Sequence, residues 1–389
     1  MGDIRIQRLH PIRVVVKALI LFTLANLAFA CFNPDIGRLS LFNFLIPGRL
    51  RFPALVQGED QLLNQGILSF LDMDAMFASH VISAGPKPAN EYRVVLLGDS
   101  SIWGYTLPAT DILSEQINKM NLKTCTGKIV RVYDLAYPWP SFMRDLLVLD
   151  KAREYQPDLV VWPMTMIMFQ TDETDLQFFL SDKEFLIDQP DRVLQLIKTY
   201  SLTVPDASNL HPSSFWDRTI LGQRLRIKVV AADQLYGLRW AATGLDIELP
   251  SVLPHSNEVD SSYAYYGYRH NSTGDLKRLI STLQFSALDA GQKLAGDVPI
   301  YYFNEPIFIT TGKNSSIRYN EYYPRWAYDE YRNRLGEWMA GQDLPYDDFW
   351  NIIPPSEFTD TPLHLTPEGE HQLAGRLAPV ILNLACKRP

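Results

Sequence analysis

The sequence predicts a three-layer α/β/α domain built on about five parallel strands, and three observations predict it. Short, nearly unbroken apolar runs recur along the chain, as strands buried on both faces require. Segments with helical spacing of apolar residues separate them, which supplies the crossovers that parallel strands need. At 389 residues the chain can also bury a large core.

The strands are read at 93–98 ("RVVLLG"), 129–136 ("IVRVYDLA"), 158–164 ("DLVVWPM"), 298–304 ("VPIYYFN") and 347–353 ("DDFWNII"). Helical spacing marks 109–121, 141–155 and 275–294 between them. A final helix opens at Thr366-Pro367-Glu368, which offers a cap residue, a proline at the first helical position and an acidic first turn. The run "RWAYDEYRNRLGEWM" places Tyr328, Tyr331, Leu335, Trp338 and Met339 on one helical face, a core-packing pattern.

Ahead of this domain, Arg5, Arg8, Arg13 and Lys17 precede a stretch with no charge from Ala18 to Pro34. The apolar run from Val14 to Phe32 is long enough to cross a bilayer as a helix. Its flanking charges favour a cytoplasmic N-terminus and an exported remainder. Ala28-Phe29-Ala30 also resembles a signal-peptide cleavage site, so anchor and cleaved leader both stand as readings.

The organisation that follows is a cytoplasmic stub with anchor at 1–35 and an irregular Pro/Gly-rich lead-in at 36–90 with a short helix near 60–80. The α/β/α domain occupies 91–389. It carries an insertion at about 170–275, read as a helical cap over the sheet's carboxyl edge, with a long helix near 217–244 and an aromatic loop, "SSYAYYGYRHN".

Several function classes are disfavoured. The net charge of −8, without a basic stripe, argues against a nucleic-acid partner. Seven histidines with no HExxH and no CxxC give no support for a metal. No phosphate-cradling GxxxxGK[ST] or GxGxxG is present, so no cofactor is expected.

Ligands of open parallel sheets bind beyond the carboxyl ends of the strands. Gly98-Asp99-Ser100-Ser101 lies at that end of the first strand, and Asp360 and His364 lie in the loop before the last helix, on the same edge. A serine needs a base to become a nucleophile, and the base needs an acid to fix its tautomer. Ser100, His364 and Asp360 supply the three roles, with Ser101 read as a helix-start hydroxyl and His371 as a surface residue.

"LLGDSS" after a hydrophobic strand, combined with "HLTPEG" near the C-terminus, resembles the SGNH (GDSL) hydrolases. The resemblance spans the α/β domain but neither the anchor nor the insertion. It implies a strand order 2-1-3-4-5, Ser100 as nucleophile, His364 as base and Asp360 as its acid. It also implies an oxyanion hole, for which Ser100, Trp139, Ala136 and Thr165 are the candidates. Three departures stand out: the acid and histidine are one residue further apart than the family's DxxH, "DLAYPWPSF" lacks the family's glycine, and Ile167 falls where the family carries an asparagine.

Asn304 and Glu305 end the fourth strand on the active edge and are candidate substrate contacts. With that strand order the first and last helices are neighbours, which brings Cys125 and Cys386 together at the far end of the domain. The expectation is an extracytoplasmic, membrane-anchored serine esterase or O-acyltransferase, acting on an acyl ester, with an acylated polysaccharide as one candidate substrate. A non-catalytic binding or assembly module on the same fold is the alternative.

Overall fold

A computed structural model describes residues 10–53, 72–138, 141–169, 190–202, 211–243, 273–283 and 285–387. Five strands form one parallel sheet: β1 (Glu91–Leu96), β2 (Ile129–Asp134), β3 (Leu159–Met164), β4 (Ile300–Asn304) and β5 (Tyr346–Asp348). Their order is β2-β1-β3-β4-β5. β1, β3 and β4 are buried at every position, as the continuous apolar runs required. β2 lies at an edge, and there burial alternates, with Arg131 turned to solvent. The other edge strand, β5, is shorter than its apolar run and ends at Asp348.

The N-terminal helix α1 runs Pro11–Phe32 and is long and apolar enough to cross a membrane. A short helix α2 (Met73–Ser79) follows in the lead-in, and the rest of the predicted helix near 60–80 lies largely outside the described residues. Within the sheet domain come α3 (Ser100–Trp103), α4 (Leu113–Lys119) and α5 (Phe142–Ala152). Two described helices belong to the insertion, α6 (Pro190–Tyr200) and α7 (Arg224–Thr243). Then come α8 (Thr273–Thr282), α9 (Ser286–Ala295), α10 (Arg325–Gly341) and α11 (Pro367–Lys387).

α4 packs against α11 and α5 against α9. The single helix expected over 275–294 is two helices, and the break lets Phe285 meet Phe169 at 4.9 Å between ring centroids. On α10, Tyr328, Tyr331, Leu335 and Met339 are buried in the core, with Trp338 partly buried against it. Cys125, beyond α4, and Cys386, in the last turn of α11, are joined by a disulfide with Cα atoms 5.6 Å apart.

The lead-in is more tightly integrated than its irregular sequence suggests. Phe52, Met73, Met76, Phe77 and Ile82 are buried in the same core as β1. Lys151 on α5 pairs with Asp74 of α2. Asp72 caps α2 by accepting from the Ala75 N–H at 2.8 Å, and its other oxygen accepts from Arg226 of α7 at 2.6 Å. α7 is held further by Asp233, which accepts from Arg49 at 2.8 Å, and by Gln234, which accepts from the Leu41 N–H at 2.6 Å. The described contacts of α7 thus run to the lead-in; the aromatic loop of the insertion lies outside the described residues.

Candidate active site

β1 delivers the chain to the carboxyl edge, where Gly98 turns it at φ +135. A Cβ there would sit 2.8 Å from Ile102 Cγ1 and 3.0 Å from Pro163, so only glycine lets the backbone pass this close. Asp99 then caps α3, its carboxylate accepting from the Ser101 N–H at 2.9 Å. These constraints leave Ser100 at the first position of α3, partly open to solvent.

The partner loop comes from the other end of the chain. Its closure depends on threonines: the Thr359 N–H donates to the His364 carbonyl at 2.9 Å, and Thr361 Oγ1 accepts from the His364 N–H at 3.2 Å. This tight loop absorbs the additional residue between Asp360 and His364. His364 Nδ1 lies 2.8 Å from Asp360 Oδ1, and Nε2 lies 2.8 Å from Ser100 Oγ. An ionised carboxylate only accepts, so Nδ1 carries the proton and Nε2 is left to accept the serine's. Burial pushes the Asp360 carboxyl up. The hydrogen bond and charge of His364, with the Thr359 hydroxyl, outweigh it and hold the group below its usual range.

Tyr105 is a further part of the site that sequence reasoning missed. Its ring stacks on His364 at 5.3 Å between centroids and 26° between planes. The signal was the glycine before it: Gly104, at φ +71, reverses the chain after α3 and returns Tyr105 over the imidazole.

Behind Ser100 lies a buried polar layer. Ser101 is more than a helix-start hydroxyl, since its Oγ donates to Glu305 at 3.0 Å. Burial, and then the neighbouring Asp99, push the Glu305 carboxyl well up. Asn304 is enclosed as well: its amide donates to Tyr328 at 3.1 Å and to Asp348 at 2.9 Å, and its oxygen accepts from Tyr331 at 3.1 Å. Both residues were candidate substrate contacts, with a strand-terminating turn as the alternative; both face inward, with exposures of 0% and 2% for Asn304 and Glu305.

Two oxyanion candidates are corrected in the same way. The Ala136 N–H already donates to Asp134 at 2.9 Å, and Thr165 Oγ1 is paired with the Tyr323 hydroxyl at 2.8 Å, away from solvent. Trp139 lies outside the described residues. Ile167 sits in a short turn over 166–169 and offers no side-chain donor. The Ser100 N–H has no hydrogen-bond acceptor among the described residues.

Arg144 is the other group missed, although "SFMRDLL" shows an adjacent charged pair inside an apolar helix. It donates to the Gly98 carbonyl at 2.9 Å and to Asp145 at 2.8 Å. Asp145 in turn accepts from Trp162 Nε1 at 3.0 Å. Burial raises the Asp145 carboxyl to about 6, against the pull of Arg144.

A second pair of buried carboxyls, Asp134 and Glu370, lies at the ends of β2 and in the first turn of α11. Burial raises Asp134 to about 8, partly opposed by the Ala136 N–H and Arg51. Burial also raises Glu370, and Asp134 adds to it. The folded state therefore keeps a proton that the unfolded chain releases near its ordinary value of 3.8. The stability this contributes is complete below 3.8 and is lost as pH rises towards about 8. The melting temperature is expected to fall across that window, and Asp134→Asn, which keeps the acceptor for Ala136, should flatten the slope. An unchanged slope would assign the proton elsewhere.

No family model matches the chain, and no curated protein matches it. Among solved structures, a carbohydrate acetylesterase family member from Sinorhizobium meliloti matches at 12% identity and a TM-score of 0.32, over 75% of this chain and 99% of that one. A likeness at that TM-score identifies neither the reaction nor the substrate.

Proposed function

We propose that the protein is a serine esterase of SGNH type, working through an acyl-enzyme. The observation that carries this reading is the continuous chain Ser100 Oγ, His364 Nε2, His364 Nδ1, Asp360 Oδ1, with 2.8 Å at each of its two hydrogen bonds. Ser100 attacks the ester carbonyl as its proton passes to His364 Nε2, and the tetrahedral oxyanion takes the Ser100 N–H. The imidazolium then protonates the leaving alcohol, and Asp360 stabilises its charge throughout. An acceptor hydroxyl, deprotonated by the same histidine, resolves the acyl-enzyme. Water as acceptor makes the enzyme an esterase or deacetylase; a sugar hydroxyl makes it an O-acyltransferase of cell-surface polysaccharide.

α1 supports an anchored, extracytoplasmic setting. Its apolar body follows Arg13 and Lys17, and its Asn26 accepts a hydrogen bond from the Leu221 N–H at 3.0 Å. A leader destined for removal has no use for a polar contact with the domain it leaves, so that bond favours a retained anchor over cleavage at Ala30.

Ile167, where the family's asparagine donor belongs, favours the second reading, a binding or assembly module that has lost its chemistry. Fluorophosphonate labelling separates the two. The expected result is labelling of the wild type and none of Ser100→Ala. An unlabelled wild type, or equal labelling of both, overturns the esterase reading.

A further inference from the structure

We propose that the segment from Phe215 to Leu225, with the Phe44-Leu45 loop, is a collar seated in the lipid interface beside α1. The inference rests on the membrane reading of α1 and extends it from a tether to a docking surface.

Asn26 is the starting point. The 22 residues of α1 span about 33 Å, against a hydrocarbon core of about 30 Å. Asn26 lies six residues before Phe32, about 9 Å inside the helix end. An amide at that depth is costly unless its polar atoms are satisfied. Its Nδ2 donates to the Phe22 carbonyl at 2.9 Å, and its oxygen accepts from the Leu221 N–H at 3.0 Å. The chain around Leu221 is therefore carried to the depth of Asn26. Together with Ala30, Asn26 makes the protein-covered stripe of α1, while Leu24 stays 56% exposed.

The composition of that segment suits the position. Trp216 is 70% exposed and Leu221 56%, with Phe215 and Leu225 also turned outward. Tryptophan is favoured where an apolar environment meets a wet one. Exposed Arg218 and Arg224 lie in the same stretch, and long basic side chains of this kind bury their stems in apolar surroundings while their heads reach the headgroup level. Phe44, at 82% exposure, extends the surface. Its loop comes after the short turn Ile36–Arg38 that follows α1, and it is fastened to α7, where Phe42 and Ile46 close over Gly237. A second copy of the chain would need no cationic rim, and large apolar groups left bare around a spanning helix fit lipid better.

The test uses the full-length chain in phosphatidylcholine–phosphatidylglycerol liposomes carrying nitroxide-labelled lipid. In a Cys31→Ser background, single cysteines carry an environment-sensitive fluorophore at Trp216→Cys and Phe44→Cys. Leu24→Cys on α1 and Asn333→Cys on the exposed side of α10 serve as references. The expected result is quenching at 216 and 44 approaching that at 24, and none at 333. Quenching at 24 without quenching at 216 and 44 overturns the collar and leaves the anchor intact. A blue-shifted but unquenched probe at 216 means that protein covers it, which also overturns the collar. Absence of quenching at 24 removes the anchor reading and the collar with it.

Discussion

Ser100→Ala is expected to lower kcat toward a p-nitrophenyl ester by at least about 10⁴-fold, as is His364→Ala, and the double variant should reach the same floor. The equality follows from the geometry. Nε2 lies 2.8 Å from Oγ, so under the proposed mechanism the two side chains form one proton-transferring unit, and losing either loses the whole. Independent contributions would instead multiply. Ser101→Ala is the matching control, because Ser101 spends its hydroxyl on Glu305, behind the site. A Ser100→Ala enzyme within tenfold of wild type would put the nucleophile elsewhere.

The largest expected stability effect lies one layer further in. Arg144→Met should destabilise the fold by about 3–5 kcal/mol, read as a lower urea midpoint. Removing the guanidinium leaves Asp145 in a site where its side chain is 3% exposed, with Trp162 as its remaining donor. The double variant Arg144→Met, Asp145→Leu should recover most of that loss, since a buried pair replaced on both sides leaves no orphaned charge. Equal losses in the single and double variants would mean that Arg144 acts by packing alone. Because Arg144 also holds the Gly98 carbonyl, the double variant should regain stability while kcat stays depressed.

Much of this was legible in the sequence, for identifiable reasons. Buried parallel strands announce themselves as apolar runs, so β1, β3 and β4 were readable almost to their ends. Edge strands carry half the signal, and β5 was overextended into Phe349 and Trp350, which are partly buried against the core outside the ladder. The serine, histidine and aspartate were legible because chemistry restricts their types and the sheet restricts their positions. Asn304, Glu305, Ala136 and Thr165 were placed on the correct edge, but their orientations were not. Whether a polar group faces substrate or spends itself on Tyr323 or Asp134 depends on partners far away in the chain. Arg144 and Tyr105 escaped notice for the same reason: a charge inside an apolar helix, or an aromatic after a glycine, has no visible partner until the layers assemble.

The 264 residues between Ser100 and His364 also set a schedule. A ribosome adding about 5–20 residues per second needs roughly 13–50 seconds to reach the histidine after making the serine. Throughout that interval Ser100 is present without its partner His364. Cys386, which clamps α11 to the far end of the domain, is made later still. The Ser100–His364–Asp360 hydrogen-bonded chain can therefore assemble only after nearly the whole sequence has been made.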